Sequence, residues 1–252
     1  MRANLQLNDN SLNTRHYILS HPGKRKLNED NVYPQHVDAE GARTFLVCDG
    51  VGGSNRGEVA SDIVSRSIGT HLSYASEVNP QTICDAIRSA EQSLNAHSEL
   101  YPECKGMAST VVGFHPNSES SAFVYWVGDS RLYHIRKGEV LYRTRDHSLV
   151  QLMVDQGHLT EEEARKSNRK NIILQAISDG NRFATPDITE LTEIESGDIL
   201  LLLSDGILEG CPESELIEQL SKCELKSAFK EIRVKCEEKS RDNFSLIALE
   251  VE

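Results

Sequence analysis

The chain has 252 residues, and its 27 Lys and Arg against 39 Asp and Glu give a formal charge of −12. That length buries a large core in one domain, and the acidic balance excludes the basic face a nucleic-acid binder needs. No apolar stretch approaches the ~20 residues of a membrane helix, and the six cysteines show no Cys-x-x-Cys spacing, so reduced thiols in a cytosolic protein are expected over zinc sites or disulfides.

Residues 1–14, polar from Asn4 to Asn13 and without a signal-peptide apolar region, are expected to be a disordered lead-in to a single domain over 15–252. Strand-like runs follow at 17–19 and 44–48. Val59, Ile63, Val64 and Ile68 then recur at helical spacing between Glu58 and Leu72. Asn79-Pro80 opens a second helix, with proline in its first turn and Ile83, Ile87 and Leu94 on one face. Further strand-like runs cover 109–114, 122–127 and 132–135. The charged segment 149–185 breaks this pattern, and Thr160 with Glu163 predicts a capping box at a helix start within it. Runs at 199–203 and 244–251 complete the set. Two consecutive long helices among many strands do not suit a doubly wound parallel sheet and predict a layered α+β arrangement.

Carboxylates recur at the ends of the apolar runs. Asp49 stands in Phe45-Leu46-Val47-Cys48-Asp49-Gly50-Val51-Gly52-Gly53, Asp129 ends 123–128, Asp205-Gly206 follows 199–204, and Asp242-Asn243 precedes 244–249. Asn28-Glu29-Asp30 stands before the short apolar stretch near Val32. A single Asp-Gly after a strand is ordinary turn chemistry. Several together repel one another, and hard divalent cations with oxygen ligands relieve that repulsion. Glycine at position 50 also lets its backbone carbonyl approach a ligand.

Seven motifs carry a family resemblance. They are Gly23-Lys24-Arg25-Lys26-Leu27-Asn28-Glu29-Asp30-Asn31, Asp49-Gly50-Val51-Gly52-Gly53, Gly106-Met107-Ala108-Ser109-Thr110, Gly128-Asp129-Ser130-Arg131, Asp146-His147-Ser148, Ser204-Asp205-Gly206 and Arg241-Asp242-Asn243. In this order and spacing the chain resembles a metal-dependent Ser/Thr protein phosphatase of type 2C (the PPM family) in its bacterial form. The resemblance implies a central antiparallel β-sandwich flanked by helix pairs, in α-β-β-α layers, with a metal cleft at one end of the sheets. It implies hydrolysis of phosphoserine and phosphothreonine on proteins by a hydroxide shared between two Mn²⁺ or Mg²⁺ ions, without a phosphoenzyme.

The roles carried over are specific. Asp49 bridges both ions with the Gly50 carbonyl on one, Asp205 and Asp242 hold the other, and Asp30 acts on that second side or through ordered water. Asp129 with Asp205 holds a third, weaker ion. Arg25, five residues before Asp30, is the phosphate clamp, although Gly23-Lys24-Arg25-Lys26 alone reads as a solvated basic turn. Glu29 and Asn243 support the ligands, Asn243 by orienting Asp242 through its side chain. Ser130 and Arg131 fix the turn after Asp129, and His147 has a structural place. The segment 149–185 corresponds to the flap beside the active site. Implied partners are phosphoproteins, among them a Ser/Thr kinase or its targets, met by a cytoplasmic monomer.

Two positions depart from the pattern: Val51 replaces the histidine of many eukaryotic relatives, and Ala108 stands where glycine is usual. Two alternatives remain at this level, a pseudophosphatase that binds phosphoproteins without turnover and another carboxylate-metal enzyme such as a nuclease or cyclic-nucleotide hydrolase.

Overall fold

A computed structural model describes residues 12–35, 42–51, 56–180 and 183–252. In chain order the elements are β1 (Thr14–His21), β2 (Asp30–Tyr33), β3 (Phe45–Val51), α1 (Gly57–Tyr74), α2 (Pro80–Leu100), β4 (Ala108–Ser109), β5 (Val111–Pro116) and β6 (Ala122–Val127). Next come β7 (Arg131–Arg136), β8 (Glu139–Arg143), α3 (Leu149–Asp155), α4 (Glu161–Lys166), β9 (Ile177–Ser178) and β10 (Asp187–Leu191). The C-terminal part holds β11 (Ile199–Leu203), α5 (Asp205–Gly210), α6 (Glu213–Lys222), α7 (Leu225–Lys239) and β12 (Phe244–Val251).

Two antiparallel sheets face each other. One runs β1-β12-β11-β7-β8, the other β10-β6-β5-β3-β4-β9 with β2 alongside β3. The two-residue period of the strands explains the layers. Phe45, Val47, Val112, Leu200, Leu202, Ile247 and Leu249 point between the sheets. Their neighbours Leu46, Cys48 and Val111 point outward against Val64, Ile68, Ile83 and Ile87 of α1 and α2. On the opposite side Leu201, Leu203, Leu246 and Ala248 meet Ile207, Leu216 and Ile232 of the C-terminal helices. Strands covered on both faces need no polar alternation, which is why β11 reads Ile-Leu-Leu-Leu-Leu. The α-β-β-α sandwich expected from the family resemblance is therefore the observed architecture.

The boundaries differ in instructive places. The run expected over 109–114 is interrupted at Thr110, whose N–H bonds the Asp49 carbonyl at 2.8 Å and so turns the chain from β4 into β5. The short or polar strands β2, β8, β9 and β10 had no counterpart among the sequence-level strands, because edge position and exposure remove the apolar signal. Of the lead-in expected over 1–14, residues 1–11 lie outside the described residues, whereas Leu12 is buried in the sandwich and Thr14 begins β1. Within 149–185 the capping box is formed in both directions between Thr160 and Glu163, and β9 pairs with β4.

Candidate active site

Register brings the first two carboxylates together. Asp30 opens β2 directly opposite Asp49 on β3. The Ser204 hydroxyl donates to Asp30 Oδ2 at 2.7 Å, while Asp30 Oδ1 is buried without a partner. Burial, opposed by the Ser204 and Ser245 hydroxyls and reinforced by Asp205 and Asp242, pushes the Asp30 carboxyl up to about 7. Asp49 keeps some exposure, yet desolvation followed by Asp30, Asp205, Asp129 and Asp242 drives it well above the usual carboxylate range. Asp205 is the first residue of α5, and burial together with Asp242 raises it to about 6. Asp129 is buried in the turn after β6, with Oδ1 unpartnered, and desolvation with Asp205 and Asp146 lifts it to about 8.

Five carboxylates from five chain segments thus feel one another's charge. Among the described residues no three His, Cys, Asp or Glu side chains stand in a ready-made metal cage; what the aspartates share is mutual repulsion. The two orphaned oxygens, on Asp30 and Asp129, and an all-oxygen donor set fit hard divalent cations.

Arg25 meets this cluster from the β1–β2 loop, which runs on into Asp30. Its Nη2 donates to Asp242 Oδ2 at 2.9 Å, with the guanidinium half-exposed. Asn243 holds the loop: its Nδ2 donates to the carbonyls of Pro22 and Leu27, both at 2.8 Å, and its Oδ1 accepts from the Glu29 N–H at 2.9 Å. The expected side-chain bond from Asn243 to Asp242 is absent. The Asn243 backbone N–H bonds Asp242 Oδ1 instead, because the side chain is spent on the Arg25 loop. Gly23 has φ +58°, and a Cβ there would lie 2.1 Å from the Asp242 carbonyl oxygen, so the loop closes on the aspartate only with glycine. Gly50 is equally constrained, since a Cβ would lie 2.2 Å from the Gly57 carbonyl oxygen at the start of α1. Glu29 packs its carboxylate against Gly57, and burial with Glu58 raises its pKa. Gly52 and Gly53 lie outside the described residues.

Comparison with known proteins gives this geometry its context. The model of the family described as Protein phosphatase 2C matches residues 19–245. The chain belongs to the protein phosphatase 2C family. The Ser/Thr protein phosphatase PstP of Mycobacterium tuberculosis is 30% identical over 233 residues, covering 90% of this chain and 43% of that protein. Protein phosphatase PhpP of Streptococcus pneumoniae is 30% identical over 206 residues, covering 79% of this chain and 81% of PhpP. The crystal structure of PstP matches with a TM-score of 0.83 at 28% identity over 95% of this chain and 99% of the other. The PstP catalytic domain in complex with two manganese ions matches with a TM-score of 0.79 at 27% identity, covering 94% and 98%. The chain therefore spans less than half the length of PstP.

In this protein phosphatase 2C chain a cleft of about 470 Å³ is lined by members of the carboxylate cluster and by residues of the segment 149–185. Arg25, Asp129, Asp205 and Asp242 line it, together with Gln151, Arg165, Lys170 and Asn171. Asp30 and Asp49 are not on its wall. Its walls are stitched by pairs that the sequence did not reveal. Arg131 grips Asp146 through two hydrogen bonds of 2.8 and 2.7 Å, joining β7 to the chain ahead of α3 rather than serving only the turn at Asp129. Tyr133 donates to Glu213 at 2.8 Å, and Arg143 reaches both Glu161 and Glu213. Ser130 meets Thr110 hydroxyl to hydroxyl at 2.7 Å, which ties the Asp129 turn to the strand break beside Asp49. His147 takes a structural place, accepting at Nδ1 from the Gly128 N–H and facing Asp187 with Nε2.

Proposed function

We propose that this chain is a metal-dependent protein phosphatase that hydrolyses phosphoserine and phosphothreonine on proteins. The observation that carries the reading is the convergence of Asp30, Asp49, Asp129, Asp205 and Asp242, two of them with orphaned buried oxygens, with Arg25 bonded to Asp242. Asp30, Asp49, the Gly50 carbonyl, Asp205 and Asp242 would hold two Mn²⁺ or Mg²⁺ ions, and Asp129 with Asp205 a third, weaker one. The manganese-bound structure of PstP supports this reading. Divalent cations bound there would lower the pKa of water and neutralise negative charge on phosphoryl oxygens.

The protein's own groups do the rest. Arg25 offers a planar guanidinium that grips two phosphoryl oxygens, and its bond to Asp242 aims it across the cleft. Asn243 and Gly23 keep that loop seated. Ser204 and Thr110 steady Asp30 and Asp49: the first hydroxyl donates to the Asp30 carboxylate, and the second accepts from the Asp49 N–H at 3.1 Å. Val51 has no proton to give, so the leaving oxygen is not protonated from that position.

The substrates would be phosphoproteins, among them a Ser/Thr kinase or its targets, met by a cytoplasmic monomer. All six cysteines are free, which supports a reducing compartment, and among the described residues no helix is long and apolar enough to cross a membrane. The non-catalytic binding-module reading has no observation in its favour, since every aspartate of the set is in place. The test is phosphate release from a phosphothreonine peptide with Mn²⁺, with Mg²⁺ and with chelator, beside an Asp205→Asn variant. Metal-dependent release that the variant loses is expected. Silence from folded, metal-loaded protein would overturn the reading.

A further inference from the structure

The charges in the cleft are unevenly spent. Along its walls Asp146 is engaged by Arg131, Glu161 and Glu213 by Arg143, and Glu209 by the Arg241 N–H. Arg165 on α4 and Lys170 just beyond it line the same cleft. Among the described residues neither side chain has a hydrogen-bonding or ion-pairing partner. The positive charge of Lys170 opposes the rise in the Asp205 pKa, so the two stand within electrostatic reach. An exposed cation taken singly is usually just solvated. Arg165 and Lys170 stand in the cleft that holds Arg25 and, with no side-chain partner among the described residues, leave two positive charges open to whatever lies along it.

We propose that Arg165 and Lys170 form a second anion subsite, which makes the enzyme favour phosphopeptides with another anionic group near the scissile phosphate. The inference rests on the phosphatase reading and adds substrate preference to it. A peptide whose phosphate reaches Arg25 and Asp205 lays its adjoining residues toward α4. A carboxylate or second phosphoryl group there pairs with two cations, whereas an apolar side chain offers them no charge. The subsite supplies attraction and orientation rather than chemistry, so it acts through KM and weakens as salt rises.

The test compares kcat/KM for three phosphothreonine peptides, flanked by alanine, by glutamate or by a second phosphoserine, with p-nitrophenyl phosphate as a substrate too small to reach the flap. Both anionic peptides are expected to exceed the alanine peptide by about fivefold or more at low salt. The preference should fade in 1 M salt, where the screening length is about 3 Å. In the double variant Arg165→Ala/Lys170→Ala the ratio should fall to about one, while the charge-conserving Arg165→Lys/Lys170→Arg pair retains it. Equal kcat/KM among the three peptides in the wild type overturns the subsite, and so does a preference that survives the alanine pair or high salt. If only the glutamate or only the phosphoserine peptide is favoured, the subsite stands and its anion is identified. Hydrolysis of p-nitrophenyl phosphate without peptide preference sinks the subsite alone; no hydrolysis of any of the four sinks the phosphatase reading with it.

Discussion

At the scale of residues, Arg25 would serve two tasks through its pairing with Asp242. The guanidinium is poised by a hydrogen bond to a carboxylate proposed to bind metal, and the same group lines the cleft where the phosphate is proposed to bind. Arg25→Ala should raise KM for a phosphopeptide about tenfold or more, the equivalent of one charge-assisted hydrogen bond, while kcat changes less. Steady-state kinetics check this, and an unchanged KM would remove Arg25 from phosphate binding. The buried carboxylates have a second consequence. Asp205, Asp30 and Asp129 sit at about 6, 7 and 8, above their unfolded values. Such groups stabilise the fold below the unfolded carboxylate pKa, near 4, and that contribution is lost as pH climbs through 6 to 8. Thermal unfolding in chelator should therefore show Tm falling between pH 5 and 8.5. Asp129→Asn should flatten the fall and raise Tm at pH 8.5 by at least about 2–4 °C, the shift that ~1 kcal/mol gives in a domain of this size. A Tm that holds steady or rises across this window would contradict the burial of these charges.

Among the elements, the strands and helices owe their stability to different faces. Leu201 and Leu202 are consecutive and both fully buried, one against the C-terminal helices and the other between the sheets. Each substituted by Ala should cost about 2–5 kcal/mol in denaturant unfolding. On the edge strand β8, Leu141 is 49% exposed, and Leu141→Ala should stay within about 0.5 kcal/mol. A large loss at Leu141 would mean that β8 is covered in solution. The α4 helix has only six residues and relies on its Thr160–Glu163 box. Thr160→Ala should cost about 0.5–2 kcal/mol locally, read by faster amide exchange in α4. At this scale the sequence was legible where a pattern was local. The apolar period of α1, the Asn79-Pro80 start of α2 and the capping box of α4 all appear as read. The strands β8 and β10 were not legible, because half-exposed edge strands carry no continuous apolar run.

In the whole molecule, two sheets and two helix layers converge their loops on one end, and the negative charge there is concentrated far beyond what a chain of net −12 requires. Mn²⁺ or Mg²⁺ binding only the folded protein should raise Tm with concentration by mass action, and more at pH 8 than at pH 5, since protonated carboxylates bind cations poorly. Differential scanning fluorimetry across a metal titration checks both, and a cation effect independent of pH would argue against these carboxylates as the site. The sequence by itself determined which residues have the chemistry: aspartates ending apolar runs, glycines beside them, and an arginine ahead of Asp30. Those signals are local, written within a few residues. Tertiary structure alone decided who meets whom. It set Asp30 opposite Asp49 through strand register, turned the Asn243 side chain from Asp242 to the Arg25 loop, locked Arg131 to Asp146, and left Arg165 and Lys170 unpaired in the cleft. Those pairings join residues up to 221 positions apart, and only packing of the two sheets brings such distant groups within hydrogen-bonding reach.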